Sequence, residues 1–255
     1  MSHAVVKDQK TDNKPGIGIY WGTFDPPTLA HADIIAKSIA QFKLSKLIVV
    51  VNDNSTTGKT YKIPGKVRAN MIRRMFYQSP LKGSIVVLCQ TDKFSLTYAK
   101  VKEIYSRKVY SIVGQDSFEY YGKKCAGYDQ VIVVPRGNNH QKLQEKIAEY
   151  QLTNISVLTT DPKFLHVSST LVRESVGAAS DQKQNAFITY THPKVKEFIY
   201  RYGFLTGNYN TAQHHVAANT IQHAWKKFNL KKQSAAAIVN PLATPQKSDI
   251  KLTCN

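Results

Sequence analysis

The chain has 255 residues and a formal net charge of +18, long enough for one sizeable α/β domain plus an appendage. That charge draws polyanions (nucleotides, nucleic acid or an acidic protein) without choosing among them, and a solvated basic surface is the plain alternative. The apolar runs at 47 to 51 and 131 to 134 are too short for a bilayer, so no integral membrane contact is expected. Three well-separated cysteines (Cys89, Cys125, Cys254) argue against a disulfide framework or a cysteine zinc site, which makes a reducing cytoplasmic setting the expectation.

In chain order, residues 1 to 14 read as a flexible, polar leader without a secretory apolar core. A short strand at 16 to 20 leads to a helix over 29 to 42, with Ile34, Ile35, Ile39 and Phe42 at helical spacing. A β-branched strand at 47 to 51 exits into Asn-Asp-Asn and a long basic loop, 52 to 66. Then come a helix at 67 to 77, a strand at 84 to 89, a helix at 95 to 105 and strands at 109 to 113 and 131 to 134. A helix at 140 to 150, a strand at 155 to 158 and helices starting at 168 and 192 complete the body. Strands alternating with helices predict a doubly wound, Rossmann-like parallel sheet covered on both faces, with ligands beyond the carboxyl ends of its strands. The expected body is 15–206, followed by a linker at 207–218, a basic amphipathic helix at 219–233 and a flexible tail at 234–255. From Tyr200 onward seven Lys and Arg face one Asp.

Two stretches carry the candidate chemistry. In "GIYWGTFDPPTLAH" the Pro26-Pro27 pair stiffens the exit from the first strand, and Thr28 is placed to cap the next helix. His31 then falls in the first turn, where backbone N–H groups and the helix dipole favour an anion, so Thr28 and His31 are expected to grip a phosphate oxygen from two sides. An incidental His in a strand–turn–helix is the other reading. In "HVSSTLVRESV" the hydroxyls of Ser168, Ser169 and Thr170 precede a helix, and Arg173 projects from its first turn with a fork suited to phosphate. An ordinary capped helix with a surface Arg is the alternative there.

Together these motifs resemble the nucleotidyltransferase superfamily that carries an H-x-G-H or T-x-G-H signature. "GTFDPPTLAH", "SIVGQDS", "VIVVPRG", "HVSSTLVR" and the closing "HPKVKEFIYRYGFL" are similar, in order, to the motifs of its nicotinate and nicotinamide mononucleotide adenylyltransferases. The resemblance implies adenylyl transfer: a mononucleotide phosphate attacks the α-phosphorus of ATP and pyrophosphate leaves, a step in NAD biosynthesis. It implies that Gly22, Thr23 and Phe24 line the phosphates and the mononucleotide. Thr28 and His31 would flank the α-phosphorus, and Ser168, Ser169, Thr170 and Arg173 would hold the β- and γ-phosphates. Asp116 would bind a ribose hydroxyl, with Gly114 and Arg136 beside the nucleotide. Mg²⁺ would be held mainly by the phosphates, with no protein metal site. Lys59 and Lys62 in the basic loop are expected to close over the phosphates, a solvated loop being the alternative. Ala30 stands where the signature has Gly, and its methyl is expected to crowd ATP. No Trp follows "GQDS" to stack a pyridine ring, so Tyr120, Tyr121 or Tyr128 is expected to substitute. The opening "YWGTFDPPTLAH" is also close to that of phosphopantetheine adenylyltransferases, which makes phosphopantetheine the second acceptor. A nucleotide-binding adaptor without turnover is the competing class.

The tail stretch "NTIQHAWKKFNLKK" resembles an IQ motif, the helical calmodulin-binding pattern I-Q-x-x-x-R-G-x-x-x-R, with Lys227 in place of the Gly. On a helix Ile221, Trp225 and Phe228 share a face, and Gln222 and the lysines flank it, as suits a groove in an acidic partner such as calmodulin. A helix lying on anionic lipid or folding back on the body is the alternative. Calmodulin binding would place the chain in a eukaryotic cytosol, its own or a host's. Nucleic acid is the least expected polyanion, since no aromatic–basic interleaving forms a stacking platform.

Overall fold

The computed structural model describes residues 14–53, 61–91, 96–137, 140–176 and 181–205. Six strands, β1 (Ile17–Gly22), β2 (Lys46–Asn52), β3 (Ile85–Gln90), β4 (Val109–Gly114), β5 (Gln130–Val134) and β6 (Ile155–Val157), form one sheet in the order β3-β2-β1-β4-β5-β6. Every pairing is parallel, from Ile17 opposite Lys46 on one side to Val131 opposite Ile155 on the other. This is the predicted doubly wound sheet. The strand order reverses between β1 and β4, which opens a crevice at their carboxyl ends.

The helices are α1 (Leu29–Gln41), α2 (Gly65–Met75), α3 (Tyr98–Tyr105), α4 (Gln115–Tyr121), α5 (His140–Tyr150), α6 (Ser169–Ser175), α7 (Asp181–Tyr190) and α8 (Pro193–Tyr202). Parallel strands connect by crossovers, so helices cover both faces and the central strands read as continuous apolar runs. Leu47 to Val51 are accordingly buried throughout. Ile17, Ile19, Ile48 and Val50 pack with Val101 and Val109, and Phe118, Val131, Val133 and Leu143 pack farther along the same face, where Ile19, Ser111 and Val131 stand in register.

Two helices, α4 and α7, are additions to the sequence reading. The stretch 115–121 buries only Gln115 and Phe118, too few apolar positions to register as a period. The helix expected at 67 to 77 runs instead from Gly65 to Met75. No helix among the described residues is long and apolar enough to cross a membrane. The leader up to residue 13, the linker, the 219–233 helix and the tail lie outside the described residues.

Candidate functional site

The site is built where β1 ends. Phe24 adopts φ 51°, a left-handed turn that swings its ring back over the strand end. A Cβ on Gly22 would come within 2.7 Å of that ring, so the fold-back requires glycine there. Phe24 is buried, edge-on to Tyr20 with centroids 5.2 Å apart and to His31 at 4.9 Å. It packs beneath the end of the strand and is not among the residues that line the cleft described below.

Thr28 caps α1 and is wholly buried. Its backbone N–H donates to His31 Nδ1 at 2.9 Å, and its Oγ1 lies 2.8 Å from the same nitrogen. An amide N–H can only donate, so Nδ1 is the acceptor and the ring proton sits on Nε2, toward the cleft that His31 lines. Thr28 thus sets the tautomer and direction of His31, and its own side chain is buried against that ring. Burial, with a smaller contribution from Arg136, lowers His31 to about 3, so it is a neutral donor near pH 7. A histidine that ionises near 6.5 when unfolded and near 3 when folded binds more protons unfolded between those values. Stability in the absence of ligand should therefore fall as pH drops through this window. Urea titrations of wild type and His31→Gln should show a shallower fall in the variant.

The second motif meets the first although 143 residues separate them: Ser169 Oγ donates to the Pro26 carbonyl at 2.8 Å. Arg173 Nη1 donates to the Asp25 carbonyl, and its Nη2 donates to Thr170 Oγ1 at 3.0 Å. Ser168 Oγ accepts the Leu171 N–H at 3.0 Å. All three predicted hydroxyls are thus engaged in joining and capping rather than held open as a cradle. What α6 presents is the pair of backbone N–H groups at its start and a guanidinium fixed at two of its donors.

Beyond β4 and β5, Gly114 begins α4 and Asp116 lies in its first turn. Arg136 Nε is 3.3 Å from Asp116 Oδ2, and its backbone N–H donates to the buried Gln115 side chain at 3.1 Å. Gly114, Arg136, His31, Ala30 and Tyr20 line one cleft, closed on its far side by Thr160, Phe164, Leu165 and Val167. The far wall is fastened to α1: Asp33 accepts the Asp161 N–H at 3.0 Å and Gln41 accepts the Thr159 N–H at 3.1 Å.

The described part of the basic loop is fastened through its backbone. Lys62 contributes its backbone N–H, 2.8 Å from the buried Asp25 carboxylate, which also accepts from Ile63 at 3.1 Å. The Lys62 side chain is exposed, and Lys59 lies outside the described residues. Beneath this loop Arg68 is wholly buried. It donates to the carbonyls of Ile63 (2.6 Å), Asn52 (3.0 Å) and Thr23, meets Asp53 Oδ1 at 2.5 Å and stacks under Tyr61. Sequence reading missed Arg68 because it is one of four basic residues in α2. The tyrosines expected to stack a ring divide: Tyr120 and Tyr121 are exposed on α4, and Tyr128 packs edge-on to Trp21 and Tyr98. Among the described residues no cluster of acidic, His or Cys side chains could hold a metal ion. The 221–228 face is outside the described residues.

Comparison with known proteins agrees with this fold. Residues 19–175 match the family model described as cytidylyltransferase-like. A probable nicotinate-nucleotide adenylyltransferase of Aliarcobacter butzleri is 24% identical over 166 residues, 63% of this chain and 87% of that one. A phosphopantetheine adenylyltransferase of Desulfotalea psychrophila is 37% identical over 76 residues, 30% of this chain and 41% of that one. The Plasmodium falciparum nicotinic acid mononucleotide adenylyltransferase complexed with NaAD superposes with a TM-score of 0.61 at 20% identity, over 75% of this chain and 98% of that one.

Proposed function

We propose, for a chain that belongs to the cytidylyltransferase-like family, that it is an ATP-dependent adenylyltransferase whose acceptor is nicotinate or nicotinamide mononucleotide. The observation that carries this is the junction of the two motifs, Ser169 on Pro26 and Arg173 on Asp25, at the carboxyl end of β1. It supports the reading because it brings the segment before α1, which carries the uncharged His31, against α6, which carries the Arg173 cation, at the sheet's switch point. The acceptor phosphate attacks the α-phosphorus of ATP, the bond to the bridging oxygen breaks and pyrophosphate leaves. The chain's own residues supply positioning and charge stabilisation and no nucleophile. His31 Nε2–H faces charge that builds on the α-phosphoryl oxygens, Arg173 and the start of α6 face the departing phosphates, and Asp116 with Arg136 holds the nucleoside side. Mg²⁺ would be carried by the phosphates, the usual mode for a cation that keeps most of its waters.

The test is pyrophosphate release from ATP and Mg²⁺ with nicotinate mononucleotide, nicotinamide mononucleotide and phosphopantetheine in parallel, with product masses checked. Turnover with a pyridine mononucleotide is expected. Turnover with phosphopantetheine alone would move the acceptor, and ATP binding without turnover would make the chain an adaptor. A companion prediction concerns Gly114, where an added Cβ would meet nothing within 4 Å. Gly114→Val should fold normally yet weaken ATP binding roughly tenfold or more, since its branches enter the ligand's space, read by calorimetry.

The basic 219–233 segment is read as a calmodulin-binding helix on the strength of Ile221-Gln222 and the apolar Trp225 and Phe228. Titrating the full chain with Ca²⁺-loaded and Ca²⁺-free calmodulin should shift Trp225 emission in at least one state. Trp21→Phe removes the other tryptophan, and an unchanged spectrum in both states would dismiss this reading.

A further inference from the structure

Along β1 the side chains alternate. Ile17, Ile19 and Trp21 enter the layer shared with Val101, and Tyr20 points to the opposite face, edge-on to Phe24. Tyr20 is only 7% exposed, yet it lines the cleft with His31, Gly114 and Arg136. Its hydroxyl has no hydrogen-bond partner among the described residues. The wholly enclosed unpartnered side-chain groups are those of Ser38, Asn70, Gln90 and Thr191, none of which lines the cleft. The Tyr20 hydroxyl is not one of them, so a buried ring ends in a polar group that reaches the open cleft, where phenylalanine would fill the ring's space and offer no donor. Burial raises the phenol above its ordinary value, so it stays a protonated donor at any working pH.

The surroundings indicate what the hydroxyl meets. Ile34, Val134, Pro135 and Val167 give the cleft apolar walls, Arg136 and Asp33 add two charged side chains to the same lining, and the missing Cβ of Gly114 leaves space open. Arg173 and the start of α6, which offer charge, are held instead against Asp25 and Pro26. An uncharged, flat group with a few polar edges suits the first region, and a polyphosphate suits the second.

Resting on the adenylyltransferase reading, we propose that the Tyr20 hydroxyl is a ligand-contacting, specificity-determining group that hydrogen-bonds the adenosine half of ATP. The hydroxyl, which has no protein partner among the described residues and opens on the cleft, is left for the bound nucleotide to engage.

Tyr20→Phe keeps the ring and removes the oxygen. Its melting temperature should equal or exceed that of wild type, since no bond is lost in the free protein. Its calorimetric Kd for ATP should rise about 3- to 10-fold, the value of one hydrogen bond. Tripolyphosphate affinity and the acceptor KM should stay within twofold. An ATP Kd within twofold of wild type would overturn this assignment alone, with adenylyl transfer by the wild type left standing. Equal weakening of ATP and tripolyphosphate would overturn it too, by tracing the effect to a shift of Phe24 and His31. A wild type that binds no ATP would remove the adenylyltransferase reading and this inference together.

Discussion

His31→Gln should lower kcat/KM by about 10²- to 10³-fold, the scale of removing one donor aimed at developing charge. The melting temperature should move by no more than a few degrees. His31 does two jobs with its two nitrogens. Nδ1 accepts the Thr28 N–H at 2.9 Å and so closes the first turn of α1. Nε2–H is the donor left over on a ring that lines the cleft. Thr-x-x-Gln is itself a capping box, in which the Gln oxygen takes the same backbone N–H, so the substitution retains the first job. It loses the second, because a side chain bent back onto the cap cannot also present a ring N–H at the site. His31→Ala would confuse the two by stranding Thr28. Steady-state kinetics and thermal melts on His31→Gln separate them. Retained kcat/KM would remove His31 from the reaction.

Arg68→Met should be the most destabilising single change in the site's scaffold, by about 3–5 kcal/mol, as for breaking a buried, hydrogen-bonded ion pair by removing one partner. Arg68 spans three separate pieces of chain: Thr23 after β1, Asn52 and Asp53 at the end of β2, and Ile63 in the loop that Asp25 also holds. Removing the guanidinium leaves three carbonyls without their donor and the Asp53 carboxylate without its cation. Arg68→Lys should recover little, since a single ammonium cannot replace a planar fork that serves several acceptors at once. Urea denaturation of wild type and both variants checks this. A loss under 1 kcal/mol, the range of an exposed pair, would contradict the structural role. Activity should fall with stability, because Thr23 and the 61–63 segment would lose their common anchor.

The parts of this molecule that were legible in its sequence are local ones. The strand, the Pro-Pro turn and the capped helix from residue 17 to 41 are written in neighbouring residues, as are Ser168 and Arg173 at α6. The alternation of elements announced a parallel sheet. The roles within the motif were harder. Phe24 and Thr28 belong to the stretch that forms the site, yet both turn inward, one through a left-handed backbone and one by capping its own helix. The three hydroxyls of the second motif looked like a cradle, and two of them serve contacts with Pro26 and Arg173 that no local pattern announces.

By itself, then, the sequence determined the element types, the sheet's parallel character and the two ends of the chemistry, because periodicity, caps and prolines act over a few residues. The tertiary structure decided which side chains face the cleft. Strand order brought Asp25 and Arg173 together across 148 residues. Burial singled out Arg68 from its basic neighbours and Tyr20 from its strand. A residue's role there depends on which polar groups are left unpaired once the chain has closed around them, a property of the packed whole that no local stretch contains.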